Sequence, residues 1–481
     1  MKKKVLFVAA EAMPFAATGG LGDVIGSLPA AIVRESQGET DVRVVIPLYR
    51  SIADKYRAEM SEPVVFNVPL GWRNLYCGVR SLQKDGVTYY FVDNEYYFSR
   101  DVLYGQYDDG ERYAYFCMAV LEMMPYIDFY PDVLHAHDWQ AALSIVYLNQ
   151  IYRSRPWYGT MRTVFSIHNI EYQGKYGCEL LNDVFSLGEN SLSILQYDGC
   201  LNLMKGAIQQ ADRVLTVSPR YAEEIMTPEA SHGLWHILRA VSEKTGGILN
   251  GIDYDYYNPS KDTQLANHFS SKRPAGKKKH KAAMQAELGL EVNENIPMVV
   301  VITRLVGHKG VDLIREIGED LINRENMQLV VLGCGEYEYE EYFRYLDGKY
   351  HDRVRALITY NRDLAKKLYA AADIFLMPSR NEPCGLAQMI ASRYGAIPVV
   401  RETGGLYDSI KGFWQDDEGT IHGNGFTFAN YSSYELEERT LAAINLWKNE
   451  PLRKAFIKII METDFSWSKS AKHYIDTYNY I

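Results

Sequence analysis

Arg304 and Lys309 stand five residues apart in ITRLVGHKG, between the apolar run VVVIT and the helical pattern DLIREIGEDL. A guanidinium offers a planar fork of donors and an ammonium a mobile point charge, so together they suit a diphosphate; two solvated cations are the other reading. Glu382 sits in PSRNEPCGL, where Pro378 and Pro383 stop the preceding strand, and a helical pattern from Gly385 aims its N-terminus at the same place. Cys384 has no histidine close to it in sequence to act as base, which favours a buried thiol over a nucleophile. VLHAHDWQAAL carries His135, His137 and Asp138 at a strand-to-helix junction, and SIHNIEYQG repeats the form with His168 and Asn169. His-x-His invites zinc, but no further cluster with ligand spacing accompanies it, so no metal is expected. Two roles are left for these histidines: positioned hydrogen bonding at a site, or buried structural pairing.

The tetrapeptide TGGL occurs twice, at 18–21 and at 403–406. Gly19, Gly20, Gly22 and Gly26 do not satisfy G-x-G-x-x-G, and no P-loop pattern is present, so neither a dinucleotide fingerprint nor a Walker motif is indicated. What remains is a glycine turn opening a helix, whose N–H groups favour an anion or a hydroxyl-rich ligand, with Asp23 in the first turn as an acceptor. A turn needed only for tight packing is the alternative. The two copies are read as equivalent in kind, one per domain.

Elements must position these groups. VLFVAA, VRVVIPL, VLHAHD, TVFSIHN and RVLTVSP, then VVVIT, QLVVLG, RALITY, IFLMPS and IPVV, are short apolar runs without alternation, separated by helical patterns. That is the pattern of parallel strands buried on both faces, hence an α/β fold. The stretch 246–262, GGILNGIDYDYYNPSKD, interrupts the rhythm with Gly, Asn, Asp and Pro and is the expected linker, between a domain at 1–245 and another at 263–464. Ser466 is a candidate N-cap for a last helix within 465–481.

A length of 481 residues fits two domains, and 47% hydrophobic with 23% charged residues describes an ordinary globular chain. The formal charge of −10 offers no global field for nucleic acid or an anionic membrane. The one basic run, KRPAGKKKHK at 272–281, reads as a solvated loop entering a helix rather than a polyanion patch. The six cysteines are scattered without C-x-x-C, which fits a reducing cytoplasm. The start, MKKKVLFVAAEAMPFAA, imitates a signal peptide, but Glu11 ends its apolar run too early. No run is long enough to span a membrane.

Taken in order, TGGLGDV, DVRVVIPLYR, LGWRNLYCG, LHAHDWQAAL, IHNIEYQG, GILNGIDYDYYNP, TRLVGHKG, PSRNEPCGL, YGAIPVVRETGGL, GNGFTF and FSW resemble the glycogen and starch synthase family nearly end to end. The resemblance implies a GT-B architecture: two doubly wound Rossmann-like domains with an interdomain cleft and a C-terminal helix returning to the first domain. It implies transfer of glucose from ADP-glucose to the non-reducing 4-OH of an α-1,4-glucan such as glycogen, with retention of configuration. UDP-glucose as donor, or a non-catalytic glucan-binding homologue, are the other readings. No cofactor is implied, and oligomeric state is not given.

Carried over by motif, Arg304 and Lys309 would hold the diphosphate, and Glu382 the donor glucose hydroxyls. His137 would bind the sugar and support developing positive charge through its backbone carbonyl. Asp23, Asn169 and Asn250 would complete the pocket, with Tyr104 close to donor or acceptor. Thr18, Gly19 and Gly20 would line the cleft from the first domain. Cys384, Gly385, Thr403, Gly404, Gly405 and Leu406 would line it from the second, near the distal phosphate and glucose. A retaining glycosidase needs two carboxylates about 5 Å apart. Here only Glu382 is a strong candidate, consistent with a front-face reaction in which the departing phosphate takes the acceptor proton. Many family members carry Lys where this chain has Ala17, and one lost charge-assisted contact to phosphate is worth about 1.5–3 kcal/mol.

Overall fold

Unalternated apolar strands need helices on both faces, and the chain supplies them twice. In the computed structural model, which describes residues 2–481, each run named above becomes a strand. The chain forms two compact units, one of residues up to Gly251 together with Trp467–Ile481, the other Ile252–Ser466.

The first unit contains β1 (Lys3–Val8), β2 (Thr40–Pro47), β3 (Val64–Leu70), β4 (Arg73–Lys84), β5 (Val87–Asp93), β6 (Val133–His137), β7 (Arg162–Ile167), β8 (Lys175–Tyr176), β9 (Gln196–Tyr197), β10 (Cys200–Asn202), β11 (Arg213–Thr216) and β12 (Thr245–Gly247). Nine of these form one sheet in the order β12-β11-β7-β6-β1-β2-β5-β4-β3, while β8, β10 and β9 make a small separate sheet. From β12 to β5 every pairing is parallel; β4 and β3 add an antiparallel edge. The order reverses between β1 and β6, the place where a doubly wound sheet leaves a crevice at its carboxyl edge. The C-terminal helix Trp467–Tyr480 packs on the helix Gly20–Glu35. Its Tyr478 is buried and its hydroxyl lies 2.7 Å from His135 Nδ1.

The second unit contains β13 (Met298–Ile302), β14 (Gln328–Leu332), β15 (Val354–Leu357), β16 (Ile374–Met377), β17 (Ile397–Arg401), a short hairpin of β18 (Trp414–Gln415) and β19 (Ile421–His422), and β20 (Phe426–Phe428). The main sheet runs β15-β14-β13-β16-β17-β20, parallel throughout. In chain order of its strands this is 3-2-1-4-5-6, the dinucleotide-fold order, with its reversal between β13 and β16. Val299, Val301, Leu329, Val331, Ile374 and Val399 fill one face together with Ile314, Ile317 and Phe343 from the helices. Among the described residues, no helix is long and apolar enough to cross a membrane.

The basic run departs from its reading as a solvated loop. Its helix begins at Ala275, and Lys277, His280 and Lys281 are buried. Lys277 Nζ donates to the carbonyls of Ala370 (3.0 Å), Ala372 (2.6 Å) and Tyr394 (2.9 Å). Those carbonyls lie at the C-terminal ends of the helices Arg362–Ala371 and Ala387–Arg393, so one lysine caps two helices whose last carbonyls lack intrahelical partners. Lys281 pairs with Asp373, which also accepts the Met298 N–H at 2.9 Å and so fastens the start of β13. A helical period of four places Lys277 and Lys281 on one inward face, while Lys278 and Lys279 turn outward. Burial lowers the Lys277 pKa from 10.5 to about 7, so its ammonium is held by those three acceptors against desolvation. Lys277→Ala should therefore destabilise the second unit by about 2–4 kcal/mol. Lys278→Ala, which removes only an exposed pair with Glu294, should stay within about 0.5 kcal/mol. Urea unfolding of the two variants side by side checks both values.

Candidate active site

In the second unit, the loops that follow β13 and β16 emerge at the order reversal. Lys309 precedes the helix Val311–Arg324, and Gly310 between them has φ 76°. A Cβ there would stand 2.1 Å from the Pro378 carbonyl oxygen, so glycine is what lets the loop after β13 lie against the loop after β16. The contact brings Lys309 Nζ to 2.7 Å from Glu382 Oε2, which also accepts from Ser379 Oγ at 3.0 Å. Glu382 Oε1 accepts no hydrogen bond among the described residues. Arg304 is exposed, and among the described residues its guanidinium has no ion pair or hydrogen bond. Arg401 Nε donates to the Ser379 carbonyl at 3.0 Å, fixing the loop from below. Neither Ser379 nor Arg401 was marked by the sequence; their roles depend on loop contacts that spacing does not reveal.

The second TGGL turn is built for packing. Thr403, Gly404, Gly405 and Leu406 are all buried. A Cβ on Gly404 would stand 2.0 Å from the Glu382 carbonyl oxygen, and one on Gly405 2.2 Å from that of Cys384. The turn thus serves as the floor beneath the 382–385 loop. The Gly405 N–H reaches the Glu382 and Pro383 carbonyls, both at 3.2 Å. Gln388 Nε2 donates to the carbonyls of Cys384 (3.2 Å) and Gly385 (2.9 Å). Cys384 is a buried thiol whose backbone supports the loop.

The first turn differs in kind, which corrects the reading of the two copies as equivalent. Thr18, Gly19 and Gly20 are exposed, and a Cβ on Gly19 or Gly20 would meet nothing within 4 Å. Gly19 is extended at φ −165°, so these glycines are required neither by packing nor by backbone angle. Their N–H groups are also not all available to a ligand. Glu11 accepts from Thr18 N at 2.7 Å, Thr18 Oγ1 at 2.7 Å and Gly19 N at 3.3 Å, and from the Tyr104 hydroxyl at 2.6 Å. Ala17 is half-buried, its methyl lying where a Cβ on Gly22 would come within 2.4 Å. Asp23 follows in the first helical turn, half-buried. Sequence reasoning used Glu11 only to end an apolar run; the available signal was a carboxylate at the end of a buried parallel strand, which must find partners.

The histidines divide between the two roles left open. His135 is the structural one, buried with Nδ1 at 2.7 Å from the Tyr478 hydroxyl and Nε2 at 2.7 Å from Ser166 Oγ. His137, at the end of β6, lies 3.0 Å through Nδ1 from His168 Nε2, and its buried Nε2 has no hydrogen-bond partner among the described residues. Asp138, with φ 58°, accepts the N–H groups of His168 (2.7 Å) and Asn169 (3.4 Å), tying the ends of β6 and β7 together. Asn169 Oδ1 accepts the Glu171 N–H at 2.9 Å. Asn250, past β12, is buried, and its Oδ1 likewise has no partner among the described residues. Thr18, His137, Asn169 and Asn250 all follow carboxyl ends of strands in the same sheet. Among the described residues, no group of three or more His, Cys, Asp or Glu is placed to hold a metal ion.

Burial sets the charge state of this cluster. It holds His135 and His137 well below the ordinary 6.5 and His168 at about 3, and lifts Asp138 to about 7. Below pH 6.5 the unfolded chain protonates three histidines that the folded chain keeps neutral, which favours unfolding in acid. Asp138 works in the opposite sense between 3.8 and 7, where the folded state holds the extra proton. Three histidines against one carboxylate give a net uptake of protons on unfolding below pH 6.5, so the cluster makes stability rise with pH there, by about 1.4 kcal/mol per unit for each proton. His168→Asn should reduce that slope by about 1.4 kcal/mol per unit. Urea midpoints across this range test it, and a flat profile would contradict the neutral cluster.

Comparison with known proteins gives the family. Residues 4–240 match the family model described as Starch synthase catalytic domain, and residues 287–462 the one described as Glycosyl transferases group 1. The glycogen synthase of Anoxybacillus flavithermus is 44% identical over 478 residues, 99% of this chain and 97% of that protein. That of Bacillus subtilis is 42% identical over 473 residues, 98% of this chain and 96% of its own. Among solved structures, the catalytic domain of starch synthase IV from Arabidopsis thaliana bound to ADP and acarbose aligns with a TM-score of 0.90 at 34% identity, covering 100% of this chain and 99% of that one. Sucrose-phosphate synthase from Thermosynechococcus elongatus, at 14% identity and a TM-score of 0.61, shares the fold over 100% of this chain and 99% of its own. With full-length identity of this order and both family models matched, the chain belongs to the glycogen and starch synthase family, two-domain α/β glycosyltransferases of GT-B type.

Proposed function

We propose that the chain transfers glucose from ADP-glucose to the non-reducing 4-OH of an α-1,4-glucan such as glycogen, with retention of configuration. The observation that carries the reading lies at the reversal of the second sheet: Lys309 is held by Glu382, and the loop that carries Lys309 also carries Arg304, which has no carboxylate of its own. As the bond to the anomeric carbon breaks, negative charge grows on the departing diphosphate. Arg304 and Lys309 are the cations that stabilise it, and electrostatic stabilisation of this kind is usually the largest catalytic contribution. Glu382 Oε1, open as an acceptor, takes a glucosyl hydroxyl. No second carboxylate accompanies Glu382 in this loop, which supports a front-face route in which the leaving phosphate accepts the acceptor proton.

His137, uncharged by burial, acts on the sugar with Asp23, Asn169 and Asn250, and Tyr104 stands by the first turn. The relatives named glycogen synthase, and ADP and acarbose on a relative's catalytic domain, support this choice of donor and acceptor class. A cytoplasmic location is part of the same proposal, resting on the scattered cysteines.

Incorporation of labelled glucose into glycogen, with ADP-glucose and UDP-glucose in parallel, tests it. ADP-glucose should be the better donor, and Glu382→Ala should lose at least about a hundredfold in rate. An unchanged rate in Glu382→Ala would remove that residue from the mechanism. Tight glycogen binding without turnover from either donor would make the chain a binding homologue, the reading that Ala17 favours. Ala17→Lys should lower the KM for ADP-glucose if the missing cation weakens donor binding.

A further inference from the structure

We propose that Tyr431 is a positioning residue of the transfer reaction: its hydroxyl holds the turn that carries Lys309, and so sets where that ammonium stands for the donor's diphosphate. The inference rests on the glucosyl-transfer reading above, and every residue it uses lies in the second unit. Lys309 is the last residue of one turn of 3₁₀ helix, Gly307–Lys309, between β13 and the helix Val311–Arg324. The turn is closed by the Lys309 N–H on the Val306 carbonyl and the Gly310 N–H on the Gly307 carbonyl, both at 3.0 Å. A single turn of this kind is weak by itself, because its bonds are few and poorly aligned. Its carbonyls meet two donors from other loops. The Arg380 N–H donates to the His308 carbonyl at 2.9 Å, and the Tyr431 hydroxyl lies 3.1 Å from the Gly307 carbonyl.

The same hydroxyl stands 2.5 Å from Asp312 Oδ1, in the first turn of the helix that follows Lys309. One phenol oxygen thus spans the chain on both sides of the lysine. It has a single hydrogen, which the carboxylate takes more strongly and the carbonyl shares. Burial, with Asp312 beside it, holds the phenol well above its ordinary 10, so the group stays a donor. The ring is half-buried, and the Arg380 guanidinium lies 4.3 Å from its centroid and 3.6 Å from Asp312 Oδ2.

The segment that delivers Tyr431 is fastened independently. Ser432 caps the helix Ser433–Lys448, and Glu435 in its first turn accepts the N–H groups of Ala429 (3.1 Å) and Asn430 (3.0 Å). Arg401, which holds the Ser379 carbonyl, also donates to the Ala429 carbonyl at 3.2 Å. Tyr431 therefore joins a fastened loop after β20 to the weak turn of Lys309. A strut that only supported packing would cost stability and nothing else. A positioning role makes the effect depend on Lys309: once the ammonium is gone, the place of its turn no longer matters to a phosphate.

The test uses the full chain, with ADP titrated by calorimetry into the native protein, Tyr431→Phe, Lys309→Ala and the double variant. Tyr431→Phe removes one oxygen and keeps the ring under Arg380, and a cooperative urea transition in each variant shows that it is folded. The ADP Kd should rise at least about fivefold in Tyr431→Phe, the worth of one hydrogen bond. Beside Lys309→Ala the same substitution should lose most of that effect. A smaller rise in Tyr431→Phe overturns the proposal. So does an effect undiminished beside Lys309→Ala, which would make Tyr431 independent of the lysine. Should Tyr431→Phe fail to fold, Asp312→Asn is read in the same cycle against the same outcomes, since it keeps the ring and removes the charge that anchors the hydroxyl. A native chain that binds no ADP defeats the functional reading and this proposal with it, whereas native binding with an unchanged Tyr431→Phe defeats the proposal alone.

Discussion

A doubly wound parallel sheet leaves its carboxyl edge open only where the strand order reverses, because connections on the two sides of that point run over opposite faces. Each unit of this protein has one such point, between β1 and β6 in the first and between β13 and β16 in the second. Most of the chemistry-bearing groups follow those four strands: Thr18 with its turn, His137, Arg304 with Lys309, and Glu382. Helices and outer strands hold these loops at their positions. Lys277 shows how far that support extends, since one buried ammonium caps the helix that follows the Glu382 loop together with a neighbouring helix.

The two crevices differ in charge. The second unit presents Arg304 without a carboxylate partner and a partly buried Lys309–Glu382 pair, in which removal of either partner leaves the other uncompensated. The first unit presents a carboxylate already saturated by its own turn and histidines that burial keeps neutral. An unpartnered cation thus stands at the reversal of the second sheet, and neutral imidazoles at that of the first.

Much of this was legible in the sequence, and the exceptions share a cause. Unalternated valine and isoleucine runs mark every strand beside the two reversals, because burial on both faces leaves no room for a polar period. Arg304, Lys309 and Glu382 were legible from residue type and from the prolines around them. Three features were not. The two TGGL copies are identical in letters, but one is an open edge and the other a packed floor, which only the neighbours at 382–385 decide. The lysines of 272–281 look solvated as a run, and the inward period of Lys277 and Lys281 becomes meaningful only beside the carbonyls they meet. Glu11 is a single acidic residue whose partners lie seven, eight and 93 residues away. Contacts between loops distant in sequence carry no local period, so pattern reading passes over them.

The central claim is that the negative charge of the donor is carried by the second unit. Titration of ADP into Arg304→Met and into Thr18→Val by calorimetry tests it most directly. The account predicts a Kd about 10–100-fold weaker for Arg304→Met, the worth of one charge-assisted phosphate contact, and a native Kd for Thr18→Val. An unchanged Kd in Arg304→Met, or an equal loss in Thr18→Val, would contradict it.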